Sequence, residues 1–186
     1  MLFRSVSFLH SSQGFWQVPS ASWSLGGSKK ERSGNTTILD TGTTLLLVSD
    51  DVVDEIYGML TATFSLLLAN ARPSGAIEGA TYDDQQGGYK FPSNATIPDI
   101  EFAVGDQLYK VNPKDIAFGD AGDGYTFGGI QSRGNLDFDI FGDIFLKSVY
   151  VVCEYPSSII MFYTHSDLSL LVNQGETKVG LAQRDD

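Results

Sequence analysis

The sequence has very little cysteine and histidine, with one cysteine and two histidines in 186 residues. A single cysteine cannot form a disulfide within the chain, and we expect Cys153 to be a small buried apolar residue. His10 and His165 are isolated, whereas zinc and other transition metals need several nitrogen or sulfur ligands at characteristic spacings. The sequence therefore predicts no metal site and no other cofactor.

Basic residues and long apolar runs are also scarce. Twelve Lys and Arg stand against 23 Asp and Glu, which gives a formal net charge of -11. Nucleic-acid affinity depends on clustered basic side chains, so we expect no nucleic-acid partner. No apolar run reaches the ~18 residues that would span a bilayer, so we expect no membrane span. The opening stretch MLFRSVSFLHSS has too short an apolar centre for a signal peptide, and no targeting signal is readable.

Short apolar and aromatic segments separated by glycine dominate what remains. Hydrophobic residues make up 42% of the chain, enough for a sizeable core, and 20 glycines and six prolines interrupt it. Segments such as TTIL, TLLLV, IEFAVG and VYVVCEY have the length and composition of β-strands. We therefore predict a mainly β fold with one or two short helices.

Two stretches have the signals of a helix. The stretch SDDVVDEIY, which begins at Ser49, combines polar residues suited to a helix start with apolar residues at helical spacing. We expect this helix to extend toward Pro73, where helical geometry must end. A second, shorter helix is expected near Asn112, with Pro113 at its first position. The polar, glycine-rich stretch at 73–88 is predicted to be a surface loop that leads into a strand.

The stretch ILDTGTTLLLV places a carboxylic acid between two apolar runs. Asp40 supplies the acid, and Gly42 allows a tight turn. The hydroxyls of Thr41 and Thr43 can form hydrogen bonds across a buried loop. A carboxylate fixed in this way can act as a general acid or base. The same residues are also common in plain turns, so the tripeptide alone leaves both interpretations open.

Longer stretches resemble the pepsin-like aspartic proteases, and fungal members in particular. ILDTGTTLLLVSDDVVDEIY is similar to that family's second active-site segment, and SQGFWQVPSASWSL is similar to the strands that open its C-terminal lobe. GGYKFPSNATIPDIEFAVGDQLYKVNPKDIAFG and TFGGIQSRGNLDFDIFGDIFLKSVYVV are similar to the middle and the closing section of the lobe, in family order. The resemblance implies a single lobe of the bilobed pepsin-like acid protease fold. It also implies an aspartic-type endopeptidase that acts on peptides or proteins and is secreted or vacuolar.

The resemblance assigns roles to individual residues. It implies that Asp40 is the catalytic acid, at the tip of a loop between two buried strands. The residues expected to support this loop are Thr41, Gly42, Thr43, Ile140, Phe141 and Gly142. The residues expected to contact substrate are Gly42, Thr43 and Thr44. Asp143 is expected to be structural, and the expected solvated loop acids are Asp83, Asp84, Asp137 and Asp139.

The sequence departs from the family in its number of active-site motifs, in its cysteines and in an inserted segment. The family's mechanism needs two acids, whereas the chain contains one Asp-Thr-Gly, so we expect the site to need a missing N-terminal lobe or a second copy of the chain. The isolated chain is then expected to be inactive. Two alternatives stay open: a non-catalytic lobe that binds an extended peptide, and a truncated gene product. The second departure is that Ser93 and Thr126 occupy the positions where the family's C-terminal lobe usually carries a disulfide.

The resemblance also divides the chain. Residues 1–13 are an atypical N-terminal segment, and residues 14–186 are the C-terminal lobe with an atypical insertion at about 155–174. The insertion is interpreted either as a tolerated surface loop or, like the N-terminal segment, as translated non-coding sequence. Residues 14–16 and 179–181 are expected to expose apolar side chains and strand edges toward the other lobe.

Overall fold

The structure is a computed structural model that describes residues 4–7, 9–10, 16–58, 76–155, 158–161 and 178–184. Side chains are described at 16–58, 76–152 and 179–184. The predictions made for the side chains of Cys153, His10 and His165, and for helix beyond Gly58, lie outside these residues.

The described residues are mainly in β-strands, which confirms the predicted fold class. The strands, numbered in chain order, are β1 (Arg4–Ser7), β2 (Leu9–His10), β3 (Trp16–Pro19), β4 (Ser22–Leu25), β5 (Ser28–Glu31), β6 (Thr36–Leu39), β7 (Leu46–Val48), β8 (Thr81–Asp83), β9 (Gly88–Pro92), β10 (Ile100–Val104), β11 (Gln107–Lys110), β12 (Ala117–Gly122), β13 (Tyr125–Gly128), β14 (Ile130–Ser132), β15 (Asp139–Phe141), β16 (Val149–Tyr155), β17 (Ser158–Met161) and β18 (Lys178–Gln183). The helices are α1 (Asp50–Tyr57), α2 (Pro113–Ile116) and α3 (Asp143–Leu146), of which α3 is additional to the two predicted.

The strands form four sheets. The largest has six strands in the order β14-β7-β15-β6-β3-β2. Three four-stranded sheets have the orders β1-β18-β16-β17, β11-β10-β4-β5 and β12-β13-β9-β8. In the six-stranded sheet β15 lies between β6 and β7, parallel to the first and antiparallel to the second. This arrangement places the end of β15 directly beside the connection between β6 and β7.

Helix α1 begins where the sequence predicts. Ser49 has an extended backbone at the N-cap position, and two aspartates follow in the first turn, where negative charge is favourable. Its buried residues are Val52, Val53, Ile56 and Tyr57. Gly58 ends the helix in the left-handed region, at φ 77° and ψ 46°, and its amide donates to the Asp54 carbonyl at 2.7 Å. Glycine adopts this conformation without steric penalty, so it is well suited to this position.

Helix α2 is also found where the sequence predicts. Asn112 caps it, because its side-chain oxygen accepts a hydrogen bond from the Lys114 amide at 3.0 Å, and Pro113 is the first helical residue. In the described part of the chain, no helix has the length and apolar character needed to cross a bilayer.

The prediction of a loop over residues 73–88 is wrong for residues 81–83, which form β8 and pair with β9. The tight turn between the two strands is built on Asp83. Its Oδ1 atom accepts hydrogen bonds from the amides of Gln85 and Gln86, at 2.9 and 3.1 Å. A carboxylate that caps backbone amides in this way favours a turn, and the turn brings β8 onto β9.

The prediction of an exposed strand edge at residues 179–181 is also wrong. Val179 and Leu181 are fully buried, and β18 is paired on one side with β16 and on the other with β1. The edge is covered because Arg4–Ser7, within the segment predicted to be atypical, supplies β1. Trp16 is half-buried and packs against the core, and residues 14–15 lie outside the described residues.

Aromatic side chains anchor β15 in the core. Phe141 is fully buried, and its ring lies 4.5 Å from that of Phe145 and 5.6 Å from that of Phe102, centroid to centroid. Rings at these separations and tilts pack favourably. Phe141 therefore holds the C-terminal end of β15 firmly beneath the connection that follows β6.

Candidate active site

The connection between β6 and β7 comprises residues 40–45 and begins with Asp40. Both flanking strands contribute buried residues, among them Ile38 and Leu46, whereas Thr41 and Gly42 at the turn are exposed. The Asp40 side chain itself is half-buried. An acid is thus placed directly after a strand whose central residues, Thr37 and Ile38, are buried.

Both carboxylate oxygens of Asp40 accept hydrogen bonds from the same turn. The Gly42 amide donates to Oδ1 at 2.9 Å, and the Thr43 hydroxyl donates to Oδ2 at 2.6 Å. The Thr43 amide also donates to the Asp40 carbonyl at 3.3 Å. Two donors from one rigid turn fix the orientation of the carboxylate before any other group arrives.

Backbone hydrogen bonds tie this turn to the end of β15. The Asp40 amide donates to the Phe141 carbonyl at 3.1 Å. In the opposite direction, the Asp143 amide donates to the Thr43 carbonyl at 2.9 Å, and the Ile144 amide donates to the Thr44 carbonyl at 3.0 Å. The start of α3 therefore satisfies carbonyls of the Asp40 turn, which would otherwise need other partners.

Gly142 lies at the point of closest approach between β15 and the turn. A Cβ atom placed at residue 142 would overlap the carbonyl oxygens of Thr43 and Leu45. These are backbone atoms and cannot move aside as the end of a flexible side chain can. The close approach of the two segments therefore requires glycine at this position.

The structure brings the residues predicted to support the loop together around Asp40. Phe141 and Gly142 are buried, Ile140 is half-buried, and Thr41 and Gly42 form the turn. Of the residues predicted to contact substrate, Gly42 and Thr44 are exposed, whereas the Thr43 hydroxyl is already engaged by Asp40. This geometry gives Thr43 a supporting position and leaves Gly42 and Thr44 accessible to a ligand.

Asp139 is the residue that sequence reasoning misplaced, since the prediction of a solvated loop acid is wrong. Asp139 begins β15 and is fully buried. Its Oδ2 accepts hydrogen bonds from Arg32 at 2.7 Å and from the Asn35 side chain at 2.9 Å, and its Oδ1 accepts one from Arg133 at 2.7 Å. Burial of a carboxylate is tolerated because charged donors surround it.

These four side chains, Arg32, Asn35, Arg133 and Asp139, form what we call the Asp139 cluster. Asn35 links its two halves, because its side-chain oxygen accepts from Arg133 at 2.8 Å while its nitrogen donates to Asp139. Arg32 also donates to the Ser20 hydroxyl at 3.0 Å. The cluster lies at the N-terminal end of β15, opposite the end that supports Asp40. It therefore fixes the strand on which the Asp40 turn rests.

One signal in the sequence pointed to the burial of Asp139. Successive residues of a strand face opposite sides of the sheet, so residues 139 and 141 share a side. Phe141 is a strong candidate for the core, and the same side would then bury Asp139. Its cationic partners could not be inferred in this way, because Arg32 is 107 residues away in the chain.

The other acids lie away from the Asp40 turn or carry structural contacts. Asp84 and Asp137 are exposed, as predicted for loop acids, and Asp143 is half-buried at the start of α3. For Asp83 the prediction of a solvated loop acid is wrong, because it ends β8, is half-buried and is paired with Lys90 at 2.6 Å. The hydrogen bond from the Lys90 ammonium lowers the pKa of Asp83, and the same bond raises the pKa of Lys90. None of these acids is positioned to pair with Asp40 through a hydrogen bond in the described structure.

Metal ligation has no candidate in the described ranges. Within them, no group of three or more His, Cys, Asp or Glu side chains is close enough together to hold a metal ion. The Asp40 carboxyl group can itself transfer a proton and polarise a bound water.

Sequence comparisons relate most of the chain to one enzyme family. The family model described as eukaryotic aspartyl protease matches residues 5–163. Aspergillopepsin-1 from Aspergillus pseudoglaucus is 44% identical over 143 residues, which cover 77% of this chain and 32% of that protein. Penicillopepsin-1 from Talaromyces stipitatus is 40% identical over 143 residues, with the same coverage of 77% and 32%. The chain thus spans about a third of the length of these curated relatives.

Comparison with solved structures identifies a similar fold at low sequence identity. Basic 7S globulin from soybean has a TM-score of 0.57 at 13% identity, covering 97% of this chain and 42% of that chain. Conglutin gamma, a basic 7S globulin from lupine seeds, has a TM-score of 0.53 at 12% identity, covering 79% and 37%. At these identities the likeness concerns the fold alone.

Proposed function

The chain belongs to the eukaryotic aspartyl protease family, and on that premise we propose that it supplies one half of the active site of an aspartic endopeptidase, with Asp40 as the catalytic acid. The observation that carries this proposal is the geometry of the Asp40 carboxylate. Its Oδ1 accepts a hydrogen bond from the Gly42 amide and its Oδ2 accepts one from the Thr43 hydroxyl. The turn that contains these donors is hydrogen-bonded to the end of β15.

The reaction proposed is hydrolysis of a peptide bond by an activated water molecule. Two carboxyl groups about 3 Å apart cannot both ionise comfortably, so such a pair holds one proton. The ionised member removes a proton from the water, which then attacks the peptide carbonyl carbon. The protonated member donates to the carbonyl oxygen, and a tetrahedral intermediate forms without a covalent bond to the enzyme. Proton transfer to the nitrogen then allows the carbon–nitrogen bond to break.

In this scheme Asp40 is one member of the pair, and the second acid comes from outside these residues. The 186 residues contain one Asp-Thr-Gly, and within the described residues the side-chain partners of Asp40 are Gly42 and Thr43, not a second acid. A matching Asp-Thr-Gly in an N-terminal lobe, or in a second copy of this chain, would supply the partner. We therefore infer that a single copy of the chain does not cleave peptides.

Substrate contacts are proposed for the accessible part of the Asp40 turn. Gly42 and Thr44 are exposed in the connection that carries Asp40, and backbone groups there can bond to an extended peptide. Thr43 acts on substrate only through Asp40, since its hydroxyl donates to the carboxylate. From the family to which it belongs, the chain is proposed to be secreted or vacuolar and to act on peptides or proteins.

The presence of a single Asp-Thr-Gly favours a second candidate, a lobe that binds an extended peptide without cleaving it. A truncated gene product without a function of its own is the remaining alternative. The three differ in what Asp40 does. In the protease, turnover depends on its carboxylate, whereas in a binding lobe the affinity for peptide depends mainly on backbone pairing and only weakly on that charge.

The test supplies the missing half. The chain is co-folded with the N-terminal half of aspergillopepsin-1, and cleavage of a denatured protein is measured between about pH 3 and pH 6. An acid pair of the pepsin type is singly protonated in the lower part of this range. Asp40→Asn is compared with Asp84→Asn, a matched change at an exposed loop acid. We expect turnover in the mixture, a loss of about 10²-fold or more in Asp40→Asn, and no change in Asp84→Asn.

Three other results would change the assignment. Turnover that survives in Asp40→Asn would show that the proposal is wrong. Peptide binding by the chain alone, equal in both variants and without turnover in the mixture, would favour the binding lobe. Turnover by the chain alone that is lost in Asp40→Asn would assign the second acid to a second copy.

A further inference from the structure

The sequence contains two Asn-X-Thr triplets, Asn35-Thr36-Thr37 and Asn94-Ala95-Thr96, which are acceptor signals for N-linked glycans. The sequence alone cannot rank them, because such triplets also arise by chance. The fold distinguishes them sharply, since one triplet lies at the end of a central strand and the other in a surface turn.

Asn94 lies in the turn that follows β9. Asn94 and Thr96 are both exposed, and Ala95 between them is half-buried. The turn is held by its backbone, because the Ala95 amide donates to the Pro92 carbonyl at 2.8 Å and the Ser93 amide donates to the Gly124 carbonyl at 2.9 Å. Among the hydrogen bonds of the described residues, none engages the Asn94 side chain. A large polar substituent on this side chain would extend into solvent without breaking a contact.

Asn35 is in the opposite situation. Its side-chain nitrogen donates to Asp139 at 2.9 Å and to the Ser20 carbonyl at 3.2 Å, and its oxygen accepts from Arg133. The third residue of the triplet, Thr37, is fully buried in β6, and its hydroxyl donates to the Asp139 carbonyl at 3.2 Å. A glycan would replace one of the two hydrogens on the Asn35 nitrogen and would need space that the buried Asp139 cluster occupies.

We propose that Asn94 is a site of N-linked glycosylation when the chain passes through a secretory pathway, and that Asn35 remains unmodified in the folded protein. The donor is an oligosaccharide carried on a lipid diphosphate. The Asn94 Nδ2 atom forms a bond to the anomeric carbon of the sugar while the bond from that carbon to the phosphate oxygen breaks. The lipid diphosphate leaves with the electron pair, and Nδ2 loses one proton.

The consequence for Asn35 follows from the timing of folding. An attached glycan at Asn35 would prevent closure of the Asp139 cluster and would leave two arginines without their buried partner. Chains modified there would not reach the folded state, so the folded pool should be free of that modification. This inference concerns modification only, and it stands or falls independently of the proposed protease activity.

The experiment expresses the full chain behind a secretion leader in yeast, together with a reporter protein of known glycosylation. The glycans are removed enzymatically in isotopically heavy water, so that each formerly modified asparagine becomes a labelled aspartate, and peptide mapping locates the label. A sample left untreated by the enzyme controls for spontaneous deamidation. We expect label at Asn94, no label at Asn35 in the protease-resistant folded pool, loss of label in Thr96→Ala, and retention of label in Thr96→Ser.

If the chain is not secreted, the test of Asn94 can still be made. Chains retained in the membrane-enclosed secretory compartments are then isolated and mapped in the same way. Absence of label at Asn94 while the reporter is modified would overturn the proposal. Label at Asn35 in folded, protease-resistant chains would also overturn it. Equal labelling of Thr96→Ala and the unchanged chain would show that the label does not arise from this triplet.

Discussion

Replacement of Asp139 by asparagine should destabilise the fold severely, although the side chain keeps its size and shape. The carboxylate accepts hydrogen bonds from Arg32, Asn35 and Arg133, at distances of 2.7 to 2.9 Å. An amide removes the negative charge and turns one acceptor into a donor, so at least one of these donors would face another donor. The side chains of Arg32 and Arg133 are only 7% and 15% exposed, so water cannot replace the lost partner.

The expected magnitude follows from this burial. Removal of one member of a buried ion pair typically lowers the free energy of unfolding by about 3 to 5 kcal/mol. Whole domains are stable by about 5 to 15 kcal/mol, so the loss is a large share of the total. With a dependence of about 2 kcal/mol per molar urea, the unfolding midpoint should fall by roughly 1.5 to 2.5 M.

Urea unfolding followed by tryptophan fluorescence measures this shift. Trp23 is a suitable probe because it is buried and its ring is stacked 6.0 Å from that of Phe102, over which Arg32 lies. The matched control is Asp137→Asn, the same change two residues earlier at an exposed acid, which should alter stability by no more than about 0.5 kcal/mol. If Asp139→Asn and Asp137→Asn unfold within about 1 kcal/mol of each other, the reasoning from the Asp139 cluster is refuted.

Three further predictions concern other contacts. The hydroxyls of Ser93 and Thr126 are 2.7 Å apart, and the two residues lie 33 positions apart in the chain. The double variant Ser93→Cys/Thr126→Cys should therefore form a disulfide that raises the free energy of unfolding by up to about 3.7 kcal/mol. The measurement compares the free energy of unfolding with and without a reductant, and an unchanged value would contradict the prediction. Gly142→Ala should lower the free energy of unfolding by about 3 kcal/mol or more, because the added Cβ has no space between backbone carbonyls. The loss would be seen as a lower Tm or as loss of soluble protein. A Tm equal to that of the unchanged chain would exclude the close approach of residue 142 to those carbonyls. The pKa of Asp83 is lowered and that of Lys90 is raised, so their pair stabilises the fold between about pH 4 and pH 10. This stabilisation is lost as the pH falls through the lowered pKa of the carboxyl group. It is also lost as the pH rises through the raised pKa of the ammonium group. Asp83→Asn should therefore be less stable than the unchanged chain at neutral pH and equal to it in strong acid, and a constant difference across that range would argue against the pair.

Local patterns were enough to predict the parts of this fold that depend on neighbouring residues. The start of α1 follows from polar residues ahead of apolar residues at helical spacing, and α2 follows from Asn112 and Pro113. The connection that carries Asp40 follows from two apolar runs on either side of a turn sequence. Each of these features is determined within about ten residues of chain, which is the range over which sequence periodicity is informative.

The parts that could not be predicted depend on residues far apart in the chain. Asp139 looks like a loop acid until Arg32 and Arg133 are placed beside it, and only the fold brings them together. The burial of Val179 and Leu181 likewise depends on pairing between β18 and a strand from the other end of the chain. The local sequence does not identify the partner of an apolar or charged residue when the two are far apart along the chain.

The position of β15 between β6 and β7 also has a kinetic consequence. Two consecutive strands would normally pair with each other as a local hairpin, but here a strand from much later in the chain separates them. Thr37 and Asp139, which are hydrogen-bonded across this junction, lie 102 positions apart, and closing a loop of that length opposes folding by about 4 kcal/mol of entropy. Contacts of such long range make folding slow. During synthesis, a chain that has not yet emerged as far as Phe141 contains the Asp-Thr-Gly sequence but lacks the strand β15 that supports it. We therefore expect Asp40 to acquire its geometry only after residue 141 has left the ribosome.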